Sequence, residues 1–340
     1  RRITKDMVYD WYQEAQELRK SQQYNEALNV LEACIFLGAK LNDTYNEALY
    51  NYEVALVEEA QDHFAESITW YDKAAGKFKA AGSEYGEGYA QHYMALAYVQ
   101  TGQITKAEEH LLLAKDLRTL VFTNDRDSKT YQNELITTYK ELAKLQRKKK
   151  EYNKAIAEYD QGLSFTRSVD NSSAEAELLW EIGFMYSDEL GKTKEGTANY
   201  DQAFKIYTAL RDTASMIDLK RNIAINFKEL KDGNKAKTAI AEAVKYGREW
   251  NKVEKLAYAL DYEGSLHFSL GEFKKSIASY SESEKIYTGL KDTARLISTK
   301  RNIYKGYREN KDAKAALAKI KEVFPLVKKD DYTHLTDAWW

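Results

Sequence analysis

Lys205-Ile-Tyr-Thr-Ala-Leu-Arg-Asp-Thr-Ala214 returns as Lys285-Ile-Tyr-Thr-Gly-Leu-Lys-Asp-Thr-Ala294, eighty residues further along a chain of 340. The same offset carries Lys220-Arg-Asn-Ile223 onto Lys300-Arg-Asn-Ile303 and Lys231-Asp232 onto Lys311-Asp312. Three matches in one register mark a duplication, and a fixed internal period is the signature of a repeat architecture.

Working outward, the unit halves. Segments of the type Tyr24-Asn-Glu-Ala-Leu28 recur, and aligning on the small residue gives Ala27, Ser67, Ala107, Ala155, Gly196, Ala236, Ser276 and Ala316. Successive spacings are 40, 40, 48, 41, 40, 40 and 40. Seven residues after each small site comes a second mostly small column, Cys34 to Val323, and four residues after it a large apolar column, Leu31 to Ile320. Offsets of four and seven place these residues on one stripe of a helix. About twelve residues before each small site another column runs from Ala15 to Tyr304, so a second helix precedes the first and small residues let the two approach closely.

The series Trp11…Ala15…Leu18…Tyr24…Ala27…Leu31…Cys34 resembles the helix A–turn–helix B signature of the tetratricopeptide repeat family, over residues 5–325. Two departures stand out: the unit is about 40 residues against the family's usual 34 or so, and the closing proline is absent. Longer units of this kind are similar to bacterial sensor and regulator arrays and to kinesin light chains. The resemblance implies an all-α fold, a right-handed superhelix of about eight helix–turn–helix repeats with a concave peptide-binding groove. Repeats 1–3 are expected over 1–120, an irregular junction over 121–135, repeats 4–8 over 136–327 and a capping helix over 328–340, which ends in Trp339-Trp340. The junction contains Phe122-Thr-Asn-Asp-Arg-Asp-Ser128, a turn and helix-cap composition. It either divides the array into a three-repeat and a five-repeat block or marks an elongated loop or helix extension within a continuous superhelix.

Composition agrees with helix throughout: one proline and sixteen glycines in 340 residues, with 31% charged and 44% hydrophobic side chains. Both breakers are unfavourable in helix interiors. With 51 basic and 53 acidic residues the net charge is −2, which gives no drive toward nucleic acid or an anionic membrane. No apolar run reaches the ~18 residues of a membrane span, so no membrane insertion is expected. The chain starts Arg1-Arg2, which reads as a trimmed or processed product; cytoplasmic placement is favoured, and the periplasm stays open if a leader was removed.

No catalytic pattern emerges, and an enzyme is not expected. The five histidines are scattered without metal spacing, so neither a metal site nor a cofactor is expected. Cys34 stands in a small-residue column and reads as a packing thiol, and Arg147-Lys148-Lys149-Lys150 as cations complementing a helix C-terminus.

The resemblance also implies where a groove would lie. Carried over residue by residue, its central column is Tyr12, Tyr52, His92, Lys140, Trp180, Arg221, Asp261 and Arg301. The neighbouring column includes Lys144 and Lys305, and Asn222 and Asn302 sit beside the repeated arginines. The early part is aromatic and aliphatic, the later part basic and polar. A protein or peptide partner is expected, with an apolar portion toward repeats 1–3 and an acidic portion or its C-terminus toward repeats 4–8. The competing reading has the two Arg-Asn pairs held in salt bridges by Asp212, Asp218 or Asp292. The function expected is an interaction scaffold or adaptor; the alternative is the ligand-sensing part of a larger bacterial regulator, a sensor kinase or transcriptional regulator. A homo-oligomer is left open.

Overall fold

The computed structural model describes residues 3–326. Among them are sixteen α-helices, and within each of two units consecutive ones pack together as hairpins. The chain forms two compact units, Arg1–Asp170 and Asn171–Trp340. The first holds α1 (Lys5–Lys20), α2 (Tyr24–Lys40), α3 (Thr44–Glu59), α4 (Phe64–Ala80), α5 (Glu84–Gln100), α6 (Ile104–Asn124), α7 (Lys129–Lys148) and α8 (Tyr152–Ser168). The second holds α9 (Ser172–Phe184), a π-helical turn (Met185–Glu189), α10 (Thr193–Leu210) and α11 (Thr213–Glu229). It continues with α12 (Gly233–Glu249), α13 (Val253–Ser269), α14 (Phe273–Leu290), α15 (Thr293–Glu309) and α16 (Ala313–Lys321). Each unit is thus four hairpins. The capping helix expected over 328–340 lies outside the described residues.

Residues 121–135 are helical on both sides of a four-residue link. The extra length of the 48-residue step extends α6 to 21 residues and α7 to 20, where most others have 16 to 18. Ser128 caps α7 through a hydrogen bond from the Tyr131 amide, 3.4 Å. The two units part after the fourth hairpin, at Asp170.

Fourteen of the links between helices carry one residue in the left-handed region, and the period is half that of the side-chain columns. Gln22, Asn42, Asp62, Gly82 and Gly102 stand twenty apart, as do Lys150 and Asp170, and again Gly191, Arg211, Lys231, Asn251, Gly271, Lys291 and Lys311. The next amide usually reaches back to a carbonyl five residues earlier, as Asp212 N–H does to the Tyr207 carbonyl at 3.0 Å. That bond closes a Schellman motif. Where the next residue is Asp212, Asp232, Asp292 or Asp312, its carboxylate caps the following helix. The duplicated Lys/Arg-Asp pairs are therefore a helix stop joined to a helix start.

The side-chain columns form the cores. Ala27, Ser67, Ala107, Ala155, Ala236 and Ser276 are fully buried, and so are Cys34, Ala74, Ala114, Ala203, Ala243 and Ser283 seven residues on. Large residues such as Tyr71, Tyr159 and Tyr200 fill the space between. Burial pushes the Cys34 thiol up to about 11, which suits a packing role. The 41-residue step has a local cause: Gly183 precedes Gly196 by thirteen residues where other hairpins have twelve, and the additional residue is absorbed by the π-helical turn. Asn226 pins that turn, donating to Ser187 Oγ at 2.8 Å and Thr197 Oγ1 at 3.0 Å.

Candidate functional site

In the first unit, α1, α3 and α5 each bring a stripe of residues three or four apart to one face. Tyr12, Gln16 and Arg19 come from α1, and Tyr45, Leu49, Tyr52 and Leu56 from α3. Tyr85 and Tyr89 come from α5. Together they line a cavity of about 330 Å³ that also takes in Glu53, Gly86 and the Phe78 ring of α4. The rings interlock edge-on and tilted: Tyr52 is 6.0 Å from Tyr89 and 5.9 Å from Tyr93, and Tyr85 is 5.3 Å from Tyr131. Such geometry matches the aromatic quadrupole and leaves each hydroxyl free to seek a partner. Tyr85 donates to Glu134 Oε1 at 3.0 Å, and Tyr71 to Glu59 Oε2 at 2.6 Å. Burial raises the phenols of Tyr12, Tyr52, Tyr85 and Tyr89, so the face is lined by neutral hydroxyls.

Two buried charge systems support this face. Glu53 is 1% exposed and accepts from Arg19 Nε at 2.6 Å and Gln16 Nε2 at 3.4 Å. Arg118 reaches in from α6, 4% exposed. Its Nη1 donates to the Glu134 carbonyl at 2.9 Å and Thr138 Oγ1 at 2.7 Å, and lies 3.2 Å from His92 Nδ1. The Tyr89 ring covers the guanidinium, 5.5 Å away. Burial first, and Arg118 second, hold His92 down to about 3. The imidazole is neutral, and because a guanidinium has only N–H groups to offer, the ring turns its unprotonated Nδ1 toward Arg118. Burial raises the Glu134 carboxyl, against the pull of Arg118 and the Tyr85 hydroxyl. A second hollow of about 390 Å³ in the same unit is lined by Glu59, Leu96, Val99, Lys144, Leu145 and Lys148 among others.

No protein-family model matches the chain, and no curated protein does. Solved structures match it in shape. A kinesin light chain from Podosopora anserina with nearly identical TPR-like repeats is covered over its full length by 62% of this chain, at 16% identity and a TM-score of 0.51. The chain has the tetratricopeptide-like repeat fold. A signal-transduction ATPase with numerous domains, carrying a tetratricopeptide repeat sensor, from Pyrococcus horikoshii, matches 98% of this chain at 16% identity and a TM-score of 0.65. The match covers 48% of that longer protein. The quorum sensor NprR from B. thuringiensis matches 95% of this chain and 88% of its own length, at 17% identity and a TM-score of 0.53.

Within this tetratricopeptide-like array the sequence-derived groove positions separate. Tyr12 and Tyr52 meet in the cavity. His92 is buried behind it with Arg118. Lys144 borders the second hollow and pairs with Glu141 at 2.8 Å, and Lys140 is half-buried on the same helix. In the second unit Trp180 packs edge-on against Tyr207, with 6.2 Å between centroids. Arg221 stands 3.7 Å from Asp218 one turn away, a carboxylate that Lys255 holds more closely. Asp261 is occupied by Ser283, Tyr287 and Thr299. Asp212 and Asp292 serve as helix caps. Asn222, Arg301 and Asn302 are half-buried and Lys305 is exposed. Sequence reading missed Arg19, Glu53, Phe78, Tyr89 and Arg118. The spacing Tyr85-Tyr89-Tyr93 could have revealed the α5 stripe, but Arg118 lies on a second helix of a hairpin, where the groove columns do not look.

Proposed function

We propose that this chain is a non-enzymatic interaction scaffold whose first unit binds an extended peptide or protein segment on its tyrosine-lined face. The observation that carries the reading is the open cavity between α1, α3 and α5, apolar in most of its lining and braced by the ion pair of Arg19 with the buried Glu53. Rigid aromatic rings over a fixed scaffold suit side-chain anchoring with little loss of entropy. Tyr12 and Tyr52 are its sequence-derived members. Lys140, Lys144, Arg221, Asn222, Arg301, Asn302 and Lys305 are proposed to bear on more polar parts of a partner, with His92 and Trp180 in supporting places.

A second reading makes the chain the sensing part of a larger regulator. It is favoured by the match to a sensor-bearing ATPase, in which the chain accounts for about half of the other protein. Both readings place a ligand on the same face and differ in the event that binding triggers. Selection of a random linear peptide library against the chain tests the shared part. Enriched peptides should bind wild type with at least about tenfold higher affinity than a Tyr52→Ala, Tyr89→Ala double variant whose helicity is intact. Equal affinity for both proteins would remove the face from consideration.

A further inference from the structure

The cavity has two chemically distinct ends. At one end Phe78 lies flat against α5 because residue 86 is glycine: a Cβ there would stand 2.3–2.6 Å from the Phe78 ring. The corresponding positions of neighbouring hairpins are Asn46 and Glu134, so this depth is peculiar to the third hairpin. Tyr45, 44% exposed, closes over it with its ring 5.6 Å from Phe78 in an edge-on arrangement. The pocket is walled by aromatic rings and holds no cation of its own at this end.

At the other end Arg19 spends only its Nε on Glu53, and its Nη groups take no side-chain or backbone acceptor among the described residues. Gln16 faces the Tyr12 hydroxyl at 2.8 Å and the Glu53 carboxylate. A carboxylate can only accept, so the amide nitrogen of Gln16 must point inward and its Oε1 is left over. A spare donor set and a spare acceptor therefore stand side by side at the rim. Because Glu53 neutralises Arg19, the pair carries no net charge.

We infer that this cavity is an anchor subsite for an uncharged stretch of extended chain, which inserts one aromatic side chain against Phe78 and Gly86 while Arg19 and Gln16 grip a backbone amide beside it. The inference rests on the binding role proposed above and narrows it. A ligand cation would meet Arg19 and a ligand carboxylate would meet Glu53, so neither gains from the rim. A neutral amide offers a carbonyl to Arg19 and an N–H to Gln16 at once. The aromatic walls favour a ring over an aliphatic group through edge-to-face contact.

The test is selection of a random linear peptide library, displayed once with free and once with amidated C-termini, against the full chain, followed by calorimetry of a synthesised winner. Winners should share one aromatic position with uncharged neighbours, be indifferent to C-terminal amidation, and keep their affinity within about twofold between 0.05 and 0.5 M salt. Gly86→Ala, which drives Phe78 into the cavity, should weaken binding by about tenfold or more. Tyr45→Ala, at the exposed rim, should do the same if Gly86→Ala fails to fold. Arg19→Met should weaken binding severalfold for winners of either kind. Winners with acidic or basic consensus, steep salt dependence, or full affinity for Tyr45→Ala would overturn the subsite while leaving a peptide-binding role standing. Tight binding of a small aromatic amide without any chain would also overturn it, and a library that yields no winner at all would remove both the subsite and the broader role.

Discussion

A Cβ at residue 196 would stand 1.9 Å from Ser187 Oγ and 2.7 Å from the Gly183 carbonyl oxygen. Gly196→Ala must therefore move a backbone, and we expect it to lower stability by about 2 kcal/mol in denaturant titration. Gly76 offers the contrast, with nothing within 4 Å of the same added atom. Gly76→Ala should raise stability by about 0.5–1 kcal/mol through helix propensity alone. His92 gives a pH prediction whose sign is fixed by its surroundings. Its folded-state value, about 3, lies below the ordinary 6.5, so on acidification the unfolded chain takes up the proton first. Stability tied to the neutral ring is complete above about pH 6.5 and falls by up to about 1.4 kcal/mol per pH unit below it. His92→Gln should keep a larger share of its neutral-pH stability at pH 5 than wild type does, read as the change in melting temperature. At this scale the sequence was legible for the packing columns, because small residues recur at fixed offsets where helices cross closely and seldom elsewhere. It was silent on Arg118 and Glu53, whose burial depends on which helix lies opposite.

Ten of the fourteen left-handed link residues are not glycine, among them Arg211, Lys231, Lys291 and Lys311. A side chain with a Cβ is strained there, at roughly 1 kcal/mol each, and glycine is not. Lys291→Gly should therefore stabilise the protein by about 0.5–1 kcal/mol, and Gly271→Ala should destabilise it by a comparable amount. Thermal melts of the pair, with opposite signs, check the assignment of these links. A shift of the same sign in both would show that the turn geometry does not govern them. The twenty-residue beat of these links was hard to see in the sequence, since Gln, Asn, Asp, Lys, Arg and Gly all occupy it. The 40-residue side-chain period showed clearly because burial admits fewer residue types than a solvated turn does. The same logic explains the long step at 121–135: its Asn, Asp and Ser residues mark a real link, while the added length went into helices on both sides.

Across the whole chain, stability in a repeat array comes from each hairpin and its neighbours, so a compact group of hairpins carries its own core. The unit Arg1–Asp170 has four, with its charge network and cavity contained inside it. A fragment of residues 1–170 should show a cooperative helical melt by circular dichroism and retain binding of the selected peptide. The eight-hairpin architecture was legible from spacing alone, whereas the expected groove columns, aromatic early and basic late, rested only on the resemblance and on composition. The basic residues of those columns are partly committed to ion pairs within the protein, as at Lys144 and Arg221. The most direct test of the central claim is a calorimetric titration of one library-selected peptide into three forms of the intact chain: wild type, Tyr52→Ala with Tyr89→Ala, and Arg221→Ala with Arg301→Ala and Lys305→Ala. Binding through the tyrosine-lined face predicts that the tyrosine variant loses at least about tenfold in affinity while the basic variant stays within about threefold of wild type. The reverse order, with both variants folded, would contradict it.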